Sequence, residues 1–314
     1  MNPAFSVVFF TTLAGAGQGL VTALSVAVLA GAAVSRGVLA IGLAVSLVLL
    51  VVALGASFLH LGRPARAWRA VLMWRTSWLS REVIVLPAFI ALVALWLALR
   101  IGVRPNPWGD TVLPVLLVAA SVVLWYCTGM IYACIRFIEE WAHPLTLVNY
   151  TLIGLASGLV LFCLLVRLGG PPELVRPAAG WAFGLTVVAG IARALSIARN
   201  ARLRHASTLQ SATGIRNPRV AQQSMGMTGG SFNTREFMHG KTRAFLARIK
   251  YFAMGAGFAV PALLLLPALL RGSDSGIGWL LAAALVQLVG VLAERWYFFA
   301  QARHPQNLYY QVVS

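Results

Sequence analysis

The chain has 314 residues, of which 60% are hydrophobic and 11% charged, and its 25 lysines and arginines against 8 acidic residues give a formal net charge of +17. A mean hydropathy of +0.82 exceeds what a soluble fold of this length can bury in one core, so the bilayer is the solvent. A soluble enzyme is thereby excluded, and no nucleic-acid partner is expected for the positive charge.

A helical span takes about 20 mostly apolar residues. Candidates run Ser6 to Ala30, Val38 to Leu59, Val83 to Leu99, Val112 to Ile135, Leu145 to Val166, Trp181 to Ile197, Tyr251 to Leu270 and Ile277 to Ala293. These runs are apolar on every face, whereas barrel strands alternate over about ten residues, and lipid offers no partner for an open strand edge. The expected fold is all-α, a polytopic membrane protein built as a bundle of eight transmembrane helices, with residues 1–314 forming one integral membrane domain. The first span has no basic residue before it and runs well past the length of a signal-peptide core, so it is expected to be retained. Within it, Gly15-Ala16-Gly17-Gln18-Gly19 has the glycines of a nucleotide loop but no strand before it, so the phosphate reading fails. Gly15 and Gly19 instead permit close helix packing, and Gln18 and Gln287 are expected to bond to neighbouring helices.

The gap between spans two and three is the most informative polar segment, reading His60-Leu61-Gly62-Arg63-Pro64-Ala65-Arg66-Ala67-Trp68-Arg69, then Trp74, Trp78 and Ser80-Arg81-Glu82. His60 ends one span and Glu82 begins the next, so a short connection can bring an imidazole and a carboxylate together at one membrane surface. Such a pair suits proton exchange with a lipid-soluble redox carrier. Quinone reduction takes up two protons with two electrons, and partial burial and charged neighbours tune the groups that handle them. Arg66 or Arg69 would hold the carboxylate ionised or polarise a quinone carbonyl. The alternative is an interfacial loop of belt tryptophans and snorkelling arginines.

Basic residues concentrate in every second gap. Gaps two, four and six with the C-terminal tail carry 18, the odd gaps 6, and Arg193 lies inside span six. The positive-inside rule then makes both termini cytoplasmic. The basic face contacts anionic lipid or docks an acidic partner. The longest gap, residues 198–250, is a polar basic loop with no apolar periodicity of its own. Cys127, Cys134 and Cys163 all fall within spans without a C-x-x-C pair, and are expected to be buried thiols that hold no iron-sulfur cluster. The five histidines sit at span ends or in gaps, so no haem is expected. Arg193 is placed to snorkel from its span end, and with no half-to-half repeat a secondary transporter is the weaker alternative. If the last helix runs past its apolar stretch, Glu294 shares a face with Gln287 and lines a proton path or pairs with an arginine at the membrane edge.

His60-Leu61-Gly62-Arg63-Pro64 with Glu82 beyond it resembles the quinol-site region of membrane anchor subunits of the dimethyl sulfoxide reductase family. Phe9-Phe10-Thr11-Thr12-Leu13-Ala14-Gly15, Glu294-Arg295-Trp296-Tyr297-Phe298-Phe299-Ala300 and Asn307-Leu308-Tyr309-Tyr310 resemble it too. The resemblance implies an eight-helix anchor that binds an iron-sulfur subunit and, through it, a molybdopterin catalytic subunit. It implies ubiquinone or menaquinone binding and proton exchange at His60 and Glu82, with Gly62 and Arg66 in supporting positions. Gly229-Gly230-Ser231-Phe232-Asn233-Thr234-Arg235-Glu236-Phe237 is similar to the anchors of membrane-bound sulfite-oxidising enzymes in that family. This branch implies a bacterial inner membrane, partners in the cytoplasm and electrons flowing from sulfite to quinone; a quinol-oxidising anchor would use the same site in reverse. The chain itself is then a quinone-reactive or non-catalytic subunit of an oxidoreductase complex.

Overall fold

The computed structural model describes residues 1–59, 61–102, 108–221, 223 and 239–309, and its described residues contain helices and no strand. Six spans are α1 (Phe5–Leu29), α2 (Arg36–Phe58), α3 (Trp78–Gly102), α4 (Leu113–Ala133), α5 (Pro144–Gly169) and α6 (Pro172–Ala201). A short α7 (Leu209–Thr213) precedes the seventh span, which joins α8 (Arg243–Met254) to α9 (Val260–Arg271) through a π-helical turn at Gly255–Ala259. The eighth span is α10 (Ile277–Ala300), followed by α11 (Pro305–Tyr309). Among the described residues, eight helices are thus long and apolar enough to cross a membrane, in the expected order.

Several helices outrun their apolar stretches, because a helix continues until its backbone is capped and not until hydropathy falls. Helix α3 starts at Trp78 instead of Val83, and α10 continues to Ala300. Glu82, Glu294 and Arg295 therefore lie inside helices. Within residues 198–250, α6 takes the start of the stretch, α8 its end, and α7 lies between them. Local caps account for several of the starts. Val38 N–H donates to Ser35 Oγ at 3.3 Å, Leu145 N–H donates to His143 Nδ1 at 3.2 Å, and Phe245 N–H donates to Thr242 Oγ1 at 3.2 Å.

The spans pack as two four-helix groups. Helices α1 to α4 pack around one another in the first, and α5, α6, α9 and α10 in the second. The groups meet where α1 packs on α5, with α4 against α5 and α1 against α10. The α1–α5 seam is close because both partners lack side chains there: a Cβ on Gly19 would lie 2.0 Å from the Gly154 carbonyl oxygen, and one on Gly158 would lie 2.0 Å from the Gly19 carbonyl carbon. The expected role of Gly19 is thus confirmed at backbone contact, and Gly15 faces Gly154 Cα at van der Waals distance. Within the second group, Gly257 in the π turn meets Gly290 of α10 in the same way.

Both ends of the described chain lie on one face of the bundle. The Met1 ammonium donates to the Ala302 carbonyl at 2.9 Å, just beyond the end of α10, where the helix dipole favours a cation. That face also carries the α2–α3 connection, the α4–α5 turn and the α6–α8 connection. Here Arg199 donates to the Glu139 carbonyl at 3.0 Å, Ala206 N–H donates to Glu139 Oε1 at 2.8 Å, and His205 lies 3.6 Å from Glu140.

Candidate functional site

On the face that carries both termini, the α2–α3 connection contains a 3-10 segment, Pro64–Met73, that packs on α3. Its side chains are largely exposed, Trp68, Leu72 and Met73 among them, as expected for a segment lying at the membrane interface. Arg81 fastens the start of α3. It donates to the Trp74 carbonyl at 2.9 Å and the Arg75 carbonyl at 2.8 Å, and stacks over Trp78 with its guanidinium carbon 4.0 Å from the ring centre. Its donors are thus taken up by the connection, one residue before Glu82.

Glu82 points into the first helix group and is buried, with 4% of its surface exposed. The Thr128 hydroxyl of α4 donates to its Oε1. A cavity of about 10 Å³ adjoins the carboxylate, lined by Thr11, Gln18, Trp125, Thr128 and Tyr150 with apolar residues of α1, α3 and α4. That is room for about one water. Gln18 reaches from α1 to α4, donating to the Ser121 carbonyl at 2.6 Å, and Gln287 donates to Thr186 Oγ1 at 3.4 Å, so both glutamines bond to neighbouring helices as expected.

Of the residues proposed from sequence for this site, Glu82 is the one that lines the cavity. Gly62, Arg66 and Arg69 lie exposed in the α2–α3 connection, Arg69 with its guanidinium carbon 5.6 Å from the Trp68 ring centre. His60 lies outside the described residues, as do Tyr310 and the segment Gly229 to Phe237. Thr128, Trp125 and Tyr150 were not legible as site residues, because a Thr or an aromatic within an apolar run carries no signal until the helices are assembled.

A second buried polar group stands behind Tyr150. Arg193 of α6 contacts Glu294 of α10 at 2.7 Å, and Arg295 lies 3.6 Å from the same carboxylate. All three are at most 2% exposed. The Arg295 guanidinium carbon sits 3.9 Å from the centre of the Tyr150 ring, and Tyr150 stacks on Tyr132 at 5.5 Å. Arg193 therefore does not snorkel. The extension of α10 brings a counter-charge to it inside the bundle, where pairing is more favourable than stretching to the surface. Cys134 also departs from expectation: it caps the end of α4 and is exposed, whereas Cys127 and Cys163 are buried.

The C-terminal stretch Glu294 to Ala300 thus builds this charged group together with an aromatic cluster of Trp141, Tyr150, Phe298 and Phe299, and the N-terminal Phe10, Thr11, Ala14 and Gly15 line the Glu82 cavity. These same stretches carry the family resemblance. Residues 1–310 match the family model described as DMSO reductase anchor subunit (DmsC). Across an alignment of 331 residues that covers the whole of both chains, the sequence is 47% identical to the C subunit of sulfite dehydrogenase from Allochromatium vinosum. With eight spans in the expected order and a match along nearly its full length, the chain belongs to the family of DMSO reductase membrane anchor subunits.

Proposed function

We propose that this anchor exchanges electrons between a partner iron-sulfur subunit and the quinone pool, with Glu82 exchanging protons with the bound quinone, in a complex whose molybdopterin subunit oxidises sulfite. The observation that carries the reading is a buried carboxylate, held by Thr128 beside a one-water cavity at the membrane interface. Reduction of a quinone to the quinol consumes two electrons and two protons. The partner iron-sulfur subunit supplies the electrons, and a carboxyl group fixed by a hydroxyl donor is suited to pass the protons.

The cavity is too small for a quinone ring. The ring therefore lies at its mouth, on the side where the α2–α3 connection enters α3, and a water in the cavity carries the proton the last step. Gly62 leaves open space for close approach, since nothing lies within 4 Å of a Cβ built there. Arg66 and Arg69 stand ready to polarise a quinone carbonyl, and His60 is the second proton-exchanging group by the family resemblance. The quinone is ubiquinone or menaquinone, and the chain carries neither haem nor an iron-sulfur cluster of its own. The 18-to-6 distribution of basic residues supports a cytoplasmic position for the termini-bearing face, and for the partners with it, in a bacterium whose inner membrane holds the anchor. Identity to a sulfite dehydrogenase subunit supports sulfite as the electron source. The match to a DMSO reductase anchor favours a second reading, quinol oxidation at the same site with the electrons reversed.

The test is made on the whole membrane complex with His60→Ala and Glu82→Gln. Each substitution is expected to lower quinone-coupled turnover by about 100-fold or more, the scale of a lost proton donor, while sulfite oxidation with an artificial dye continues. Unchanged quinone turnover in Glu82→Gln removes the assignment, and activity only with quinol as donor selects the reverse reading.

A further inference from the structure

Arg193, Glu294 and Arg295 form a buried group of two cations and one anion. An uncompensated charge is costly inside an apolar bundle, where it is neither hydrated nor screened. Glu294 contacts Arg193 at 2.7 Å and Arg295 at 3.6 Å, so its single negative charge is shared between two guanidiniums. The Arg295 guanidinium lies over the Tyr150 ring at 3.9 Å, and Tyr150 also lines the Glu82 cavity. Tyr150 is thus a wall with a buried cation on one side and the Glu82 cavity, at whose mouth the quinone is proposed to lie, on the other. The charged and titratable groups that act on Tyr150 are Arg295, Glu294, Tyr132 and Glu82. The four ionisable groups Arg193, Arg295, Glu294 and Glu82 balance when Glu82 is ionised and leave one positive charge over when Glu82 holds a proton.

We infer that Arg295, seated behind Tyr150 and shared with Glu294, gives the Glu82 site a fixed positive background that favours an anionic, one-electron-reduced quinone over the neutral one. This deepens the quinone reading and rests on it. One electron passed from the iron-sulfur partner to a bound quinone would bring the negative charge that Arg193, Arg295 and Glu294 lack while Glu82 is protonated. A second electron from the same partner and two protons, one from Glu82 and one from water after Glu82 is reprotonated, would then complete the quinol. Because Arg295 is buried, its field is weakly screened by salt, unlike that of the exposed arginines on the same face.

The probe is a pair of quinone analogues of one shape, a hydroxyquinone ionised at neutral pH and its neutral methoxy counterpart. Their binding to the intact detergent-solubilised complex is measured at high ionic strength. The wild type is expected to prefer the anion. Arg295→Met should cut that preference by about tenfold or more, the size of one charge acting across a protein interior, and Arg295→Lys should retain most of it. Glu294→Gln should shift the preference the opposite way, toward stronger anion binding, a sign that general loosening of the bundle cannot produce. Equal preference in wild type and Arg295→Met, or a shift of the same sign in Arg295→Met and Glu294→Gln, overturns the inference. If the neutral analogue does not bind the wild type, or binds Glu82→Gln equally well, the quinone site itself is misplaced, and that failure is separate from failure of the charge effect.

Discussion

Glu82 and Glu294 are both carboxylates inside an apolar bundle, and they are held in different ways. Glu294 is set between two arginines, an arrangement that fixes charge; Glu82 is bonded to a hydroxyl beside a cavity, an arrangement that leaves room for a proton to come and go. The difference between a charge-paired acid and one proposed to exchange protons thus rests on what the neighbouring helix presents. His239 shows the same dependence on neighbours outside the spans. Burial, aided by the N-terminal ammonium and Lys241, holds its imidazole below the ordinary value of 6.5, and its neutral Nδ1 accepts from Lys241 N–H at 2.9 Å. Between the folded and unfolded midpoints the unfolded ring binds more protons, so the contact's contribution is complete above pH 6.5 and is lost as pH falls through the lower folded-state midpoint. Hydrogen exchange should show protection of the Lys241 amide that declines on acidification below that range; protection that is independent of pH would mean the neutral ring is not needed.

At the scale of elements, the α1–α5 seam brings the two helix groups to backbone contact at Gly19, Gly154 and Gly158. A side chain at Gly158 meets the Gly19 backbone at 2.0 to 2.5 Å, which no rotamer change relieves. Gly158→Val should therefore force the groups apart and cost about 1–3 kcal/mol or more, read as a lowered unfolding midpoint of the solubilised protein. Gly55→Ala, at a helical site with nothing within 4 Å, is the matched control and should be neutral or slightly stabilising. Equal stability of the two variants would refute backbone contact at the seam. Helix length is the other lesson at this scale. The extra turns of α3 and α10 beyond their apolar runs carry Glu82, Glu294 and Arg295 into the interior, and a hydropathy reading ends before those turns begin.

For the whole molecule, an even number of spans and the Met1 contact with Ala302 put the two ends of the described chain on one face, and the charge distribution argues that this face is the cytoplasmic one. With Cys134 replaced by Ala to remove an exposed thiol, a cysteine at Ala206 should react with an impermeant maleimide only after the cells are opened. One at Asp274, exposed on the opposite face, should react in intact cells. The reverse pattern would invert the topology and place the Glu82 site on the outer side. The eight spans and their order were legible from sequence, because a lipid environment imposes apolar length locally, segment by segment, and the same local reading of charge asymmetry proposes an orientation. Glu82 was legible too, as an ionisable residue at a span boundary. The sequence alone could not show that Thr128 and Tyr150 stand beside it, or that Arg193 turns inward to a carboxylate 101 positions away. Those partners come from different helices of nearly uniform hydropathy, and only the packing of glycine seams and helix groups decides which faces meet.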